Sequence, residues 1–104
     1  MVADAEAVKL EARRYADEVR REFPVGKAVL FGSYANGTAD ELSDVDIAFF
    51  IHDFGGKTRI EVGVELLRLT QKYDAYFEPL ALSFSEIEND NPFVNEIIHT
   101  GQEI

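Results

Sequence analysis

Residues 30–50, LFGSYANGTADELSDVDIAFF, constrain the fold of this chain more than any other stretch. An apolar run, Ala28-Val29-Leu30-Phe31, stops abruptly at Gly32-Ser33, and a second extends from Ile47 to Ile51 behind Asp44 and Asp46. Side chains alternate across a strand, so Asp44 and Asp46 project to one side while Val45 and Ile47 face the other. Two carboxylates held on one face repel each other unless a cation neutralises them, and paired oxygen ligands suit Mg²⁺. The Gly32-Ser33 turn offers backbone N–H groups and a hydroxyl to a phosphate. A phosphate grip beside a two-carboxylate metal site is the equipment of phosphoryl or nucleotidyl transfer.

The flanking segments supply a frame for two such strands. Ala5, Val8, Ala12, Tyr15, Ala16, Val19 and Phe23 recur at steps of three and four, which predicts an amphipathic helix over 4–23 that Pro24 ends. Val25–Phe31 reads as the first strand, residues 33–36 as a short helix, and Val45–Ile51 as the second strand. Residues 38–43 read as a polar loop in which Asp40 and Glu41 are solvated acids. Thr58 is a helix N-cap, and the helix over 59–73 carries Ile60, Val64 and Leu67 as its central stripe, widened by Val62, Leu66 and Leu69. The third strand spans 76–82. Glu78 lies inside it among apolar residues, where a carboxylate is costly to bury unless paired or coordinated. Either it points to water from an edge strand, as Pro79 suggests, or it is a third ligand, with Asp74 its competitor. Asn91 caps a last helix with Pro92 in its first position. Phe93, Val94, Ile97 and Ile98 form its buried side, Gly101 stops it, and Ile104 returns to the sheet edge. This order of elements predicts a small α/β sandwich with its helices on one face, leaving the carboxylate side of the sheet open.

The totals exclude several classes. At 104 residues the chain is expected to be one domain, 1–104. It has no cysteine for disulfides or thiolate sites. No apolar run approaches the roughly 20 residues of a membrane span, so a cytoplasmic location is the expectation. A formal charge of −10, from 20 acidic and 10 basic residues, argues against nucleic acid as a partner. The same charge repels ATP at long range unless divalent metal accompanies it, and favours a basic protein partner.

Gly32-Ser33, ten intervening residues and then Asp44-Val45-Asp46 resemble the signature of the polymerase-β-like nucleotidyltransferase superfamily. The short spacing, the Ser43-Asp44-x-Asp46 wording and the small size resemble its minimal nucleotidyltransferases (MNT), over a likeness running from about Val25 to Ile104. The resemblance implies the polymerase-β-like fold, an α/β (α+β) arrangement with a small mixed sheet. It implies catalysis with two Mg²⁺ ions held by Asp44, Asp46 and Glu78, on ATP gripped by Gly32, Ser33, Asn36 and Ser43. One departure stands out: many relatives carry an Arg where Gly-Ser-x-Ala-x-Gly has Asn36 here, and an Arg is a natural triphosphate contact.

The predicted helices and strands are expected to build a nucleotide half and to leave nothing to hold an acceptor. The resemblance implies that minimal members act with a separate all-helical HEPN protein, as the antitoxin of a toxin–antitoxin pair, in a hetero-oligomer. There the antitoxin transfers AMP to a tyrosine hydroxyl of the HEPN ribonuclease. Two rival readings remain: an antitoxin that neutralises its partner by binding alone, and a nucleotidyltransferase acting on a small molecule.

Overall fold

The computed structural model describes residues 5–37 and 44–104, apart from the side chain of Asn36. Ser43, Asp40 and Glu41 therefore lie outside the described residues, as does any contact of the Asn36 side chain. Among the described residues, four α-helices and four strands follow the order α1 (Ala5–Glu22), β1 (Val25–Phe31), α2 (Ser33–Asn36), β2 (Val45–Ile51), α3 (Arg59–Arg68), β3 (Phe77–Ser83), α4 (Pro92–Thr100) and β4 (Gln102–Glu103). A 3-10 turn, Phe84–Ile87, links β3 to α4. No helix among the described residues is long and apolar enough to cross a membrane.

The strands form one mixed sheet in the order β3-β2-β1-β4. β1 runs antiparallel to both β2 and β4, whereas β2 and β3 are parallel. The α3 crossover makes that parallel pairing possible, since parallel neighbours need a long connection. β4 is the short return anticipated from Ile104, whose N–H donates to the Ala28 carbonyl. The mixed α/β class is the one the sequence predicts.

Alternation along the strands produces two apolar faces. Ala28, Leu30, Val45, Ile47, Phe49 and Ile51 pack under α1 and α3. Val29, Ala48, Phe50 and Leu82 face the other way, against Val94 and Ile97 of α4. The helices thus do not all share one face, as the element order had suggested. A two-sided apolar β2 has to be covered on both sides, and α4 takes the second. That cover is partial: the end of the face carrying Asp46 and Glu78 remains a cleft.

The larger core centres on Tyr15, which has no exposed surface. Its ring stacks on Phe77 at 5.0 Å and meets Phe49 edge-on at 5.5 Å, while its hydroxyl donates to the Leu66 carbonyl at 2.7 Å. Burial pushes its pKa up, with Tyr73 and Glu18 adding to the effect. This one side chain joins α1, α3 and the sheet. Replacing Tyr15 by Phe keeps the packing but strands the carbonyl, and should cost about 1–2 kcal/mol, measured as a lowered urea midpoint at unchanged slope.

Helix α3 is where the sequence misleads. Its N-terminus is as predicted, with a capping box in which Thr58 accepts from the Glu61 N–H and Glu61 accepts from the Thr58 N–H. It ends at Arg68 rather than Tyr73, because the Thr70 hydroxyl and N–H both turn back to the Leu67 carbonyl. The buried stripe is Val62, Leu66 and Leu69, whereas Ile60, Val64 and Leu67 are 79%, 62% and 54% exposed. Both sets have helical spacing. The tertiary contact of Tyr15 with Leu66, not periodicity, selects which one turns inward. Phe93 is a second reversal: it is 55% exposed, and Val94 and Ile97 supply the buried side of α4.

Candidate active site

The end of β1 leads straight into the turn that shapes the site. Gly32 adopts φ 76° and ψ −151°, a conformation open essentially only to glycine. A Cβ there would lie 2.4 Å from the Asp46 Oδ2. Gly32 is therefore required twice, once for the turn and once to leave room for a carboxylate. Ser33 starts α2, and Gly37 closes it in the left-handed region with its N–H on the Ser33 carbonyl.

Asp46 is half-buried and sits in register with Phe31 on one side and Glu78 on the other. Aligned residues on neighbouring strands share a face, so Asp46 and Glu78 project together beside Phe31 and Leu80. Burial, the Glu78 charge, a hydrogen bond to Glu78 and the Asp44 charge together raise the Asp46 pKa to about 6. Asp44 immediately precedes β2 and is exposed. Backbone pairing anchors it, because the next N–H, that of Val45, donates to the Tyr76 carbonyl at 2.8 Å. The structure thus brings Asp44, Asp46, Glu78 and Gly32 into one neighbourhood.

The rival acid, Asp74, lies further out. Its backbone N–H donates to Glu11 of α1 at 2.7 Å, which fixes the α3–β3 connection. Its side chain is absent from the influences on Asp46. Asp74 does share a depression of about 580 Å³ with Asp44, Glu78, Leu67 and Tyr76. A second hollow of about 260 Å³ holds Asp46, Glu78, Phe31 and Leu80. A third, of about 330 Å³, lies between Gly32 and α4, lined by Phe31, Phe93, Glu96, Ile97 and Thr100. Glu78 borders the first two hollows and Phe31 the last two.

These donors suit a hard divalent cation. All are carboxylate oxygens, and a half-buried acid whose ionised form is disfavoured by burial and by two like charges is one whose ionised form a cation would stabilise. Among the described residues, no three acidic or imidazole groups stand close enough to hold an ion as they are placed. Asp44 and Glu78 are exposed, and Glu78 is hydrogen-bonded to Asp46. Neither histidine belongs to this neighbourhood: His52 stacks on Phe84 at 4.2 Å, and His99 lies exposed near the end of α4.

A glycine turn and paired carboxylates at adjacent strand ends of a small mixed sheet define a phosphoryl-transfer type of protein. The family model for the nucleotidyltransferase domain matches residues 12–99, which include Gly32, both aspartates and Glu78. The chain belongs to the nucleotidyltransferase domain family, whose general reaction is transfer of a nucleotidyl group from a nucleoside triphosphate, usually with divalent metal. A crystal structure of a Sulfolobus solfataricus protein with a provisional nucleotidyltransferase assignment is similar in fold, with a TM-score of 0.60 at 23% identity over 75% of this chain and 68% of that one. No curated protein matches the chain.

Sequence reasoning missed Phe31 and Phe93 as borders of the cleft, and the exposed stripe of α3. For Phe93 a signal existed. It directly follows Pro92 in the first turn of the helix, at the rim rather than the middle of the buried face.

Proposed function

We propose that this chain transfers AMP from ATP to a tyrosine hydroxyl of an all-helical HEPN partner, and so acts as the antitoxin of a pair. The observation that carries the catalytic part is the registered pair Asp46 and Glu78, with Asp46 packed against the glycine of the phosphate turn. In this reading Asp44, Asp46 and Glu78 hold divalent metal, Gly32 and Ser33 hold the leaving phosphates, and Asn36 and Ser43 add contacts. Bound Mg²⁺ supplies charge neutralisation at the phosphates and acidifies the acceptor hydroxyl.

The acceptor oxygen forms a bond to the α-phosphorus as the bond from that phosphorus to the bridging oxygen of the β-phosphate breaks. Pyrophosphate leaves, and the hydroxyl proton passes to solvent or to a site carboxylate. In-line displacement needs acceptor and leaving group on opposite sides of the phosphorus. In this reading the hollow beside Gly32 takes the nucleotide, and the separate one lined by Asp44, Glu78, Leu67 and Tyr76 is left for the acceptor.

A protein acceptor is favoured by the surface around that second opening. Ile60, Val64 and Leu67 form an exposed apolar stripe on α3, and Tyr76, 76% exposed, continues it to Glu78. Such a patch marks a protein contact more often than a small-molecule site. The acidic chain as a whole suits a basic, RNA-binding partner. Inhibition by binding alone is the competing reading, and the neutral Asn36 in place of an Arg favours it.

Intact-mass spectrometry of the co-expressed HEPN protein, with ATP and Mg²⁺, separates the two. The proposal expects a gain of one or more adenylyl groups. A tight complex with no mass gain contradicts it in favour of occlusion. Val64→Glu, at a site 62% exposed, should leave the fold intact and reduce adenylylation about tenfold or more by weakening docking. Unchanged adenylylation would remove α3 from the contact.

A further inference from the structure

Apolar surface of an unusual kind lies beside the phosphate turn. Phe93 is 55% exposed, although α4 has buried positions available in Val94 and Ile97. Its ring borders the hollow of about 330 Å³ that also contains Gly32 and Phe31. Phe31, half-buried at the end of β1, is in register with Asp46 and forms the wall between this hollow and the carboxylate cleft. Ile97 floors the hollow, and Glu96 and Thr100 provide its polar edge. The Thr100 hydroxyl donates to the Glu96 carbonyl at 2.8 Å, and the exposed Glu96 carboxylate offers a ligand an acceptor.

We infer that this hollow, between Phe31 and Phe93, receives the purine base of the nucleoside triphosphate. The inference rests on the nucleotidyl-transfer reading and adds where the base goes and what recognises it. A base is a flat π-system, and stacking on an aromatic side chain contributes about 1–3 kcal/mol per base. The hollow is within the usual size range of small-molecule sites, roughly 300–1,000 Å³, and combines apolar walls with few polar groups. The hollow adjoins both phosphate-handling parts of the site: Gly32 lines it, and a Cβ on Gly32 would meet the Asp46 carboxylate. The Glu96 carboxylate accepts an N–H of the base edge. Binding through the base also offsets the loss of a triphosphate-gripping Arg at position 36, because affinity drawn from stacking needs no positive charge.

Calorimetric titration with Mg²⁺·ATP and with Mg²⁺·tripolyphosphate, which has the phosphates and no base, tests this. Wild-type protein should bind ATP about tenfold or more tightly than tripolyphosphate. Phe93→Ala should lower ATP affinity about tenfold and leave tripolyphosphate affinity unchanged, while Phe93→Tyr should restore ATP binding. The exposure of Phe93 means that these variants keep the fold, which their urea midpoints check. Unchanged ATP affinity in Phe93→Ala, or an equal loss for both ligands, overturns the base site. A wild type that binds tripolyphosphate as tightly as ATP overturns it too, while leaving the phosphate turn intact. A wild type that binds neither ligand overturns the nucleotidyl reading along with it.

Discussion

Asp46→Asn should abolish nucleotidyl transfer, by on the order of 1,000-fold or about 4 kcal/mol of barrier, while leaving the metal-free protein at least as stable as wild type. Both effects come from one arrangement. Asp46 is half-buried, aligned with Glu78 and within the field of Asp44, so its carboxyl titrates at about 6. An unfolded Asp titrates near 4. The folded protein therefore holds this proton more tightly than the unfolded chain does. By linkage, that contribution to stability is complete below about pH 4 and is lost as the pH rises through about 6. Solvent screening at a half-exposed group limits the change to about 1 kcal/mol. The amide of Asn carries no charge, so the variant should lack this pH dependence and gain about the same amount at pH 8. Urea unfolding at pH 5 and pH 8 without metal measures it. A variant as active as wild type would remove Asp46 from the chemistry.

Gly32→Ala is expected to have the second largest effect. The backbone at φ 76° and ψ −151° is strained for any residue with a Cβ, and that Cβ would lie 2.4 Å from the Asp46 Oδ2. The expected cost is about 1–3 kcal/mol of stability. Transfer should fall about 100-fold, because displacing a positioned group by about 1 Å is enough for such a loss. Gly37→Ala is the matching control. Gly37 also has positive φ, 81°, but no atom of the described residues lies within 4 Å of a Cβ there. It should lose some stability and little activity. Equal activity losses in the two variants would mean that turn strain, not the contact with Asp46, is what matters.

These two residues also show how much of the site is legible in a sequence. Gly32 and Asp46 are announced by two apolar runs and the abrupt breaks between them, because period-two alternation and glycine's backbone freedom are local properties. The caps at Thr58 and Asn91 are local in the same way. Glu78 is half-legible: a carboxylate inside an apolar strand signals something, but its register with Asp46 depends on a parallel pairing that α3 brings about. The α3 face is not legible, since Ile60-Val64-Leu67 and Val62-Leu66-Leu69 are equally good stripes. Only Tyr15, some 50 residues away in sequence, decides between them. The placement of α4 on the second face of the sheet, and with it the hollow between Phe31 and Phe93, likewise follows from packing that no window of sequence contains.

The account turns on a carboxylate metal site at the ends of β2 and β3, and Mn²⁺ binding followed by electron paramagnetic resonance tests it without any acceptor. The account predicts that wild-type protein takes up Mn²⁺, more tightly when ATP is present, and that Asp46→Asn loses this uptake while Asp74→Asn keeps it. Loss of uptake in Asp74→Asn with binding intact in Asp46→Asn would contradict the site, as would a wild type that binds no Mn²⁺ even with ATP.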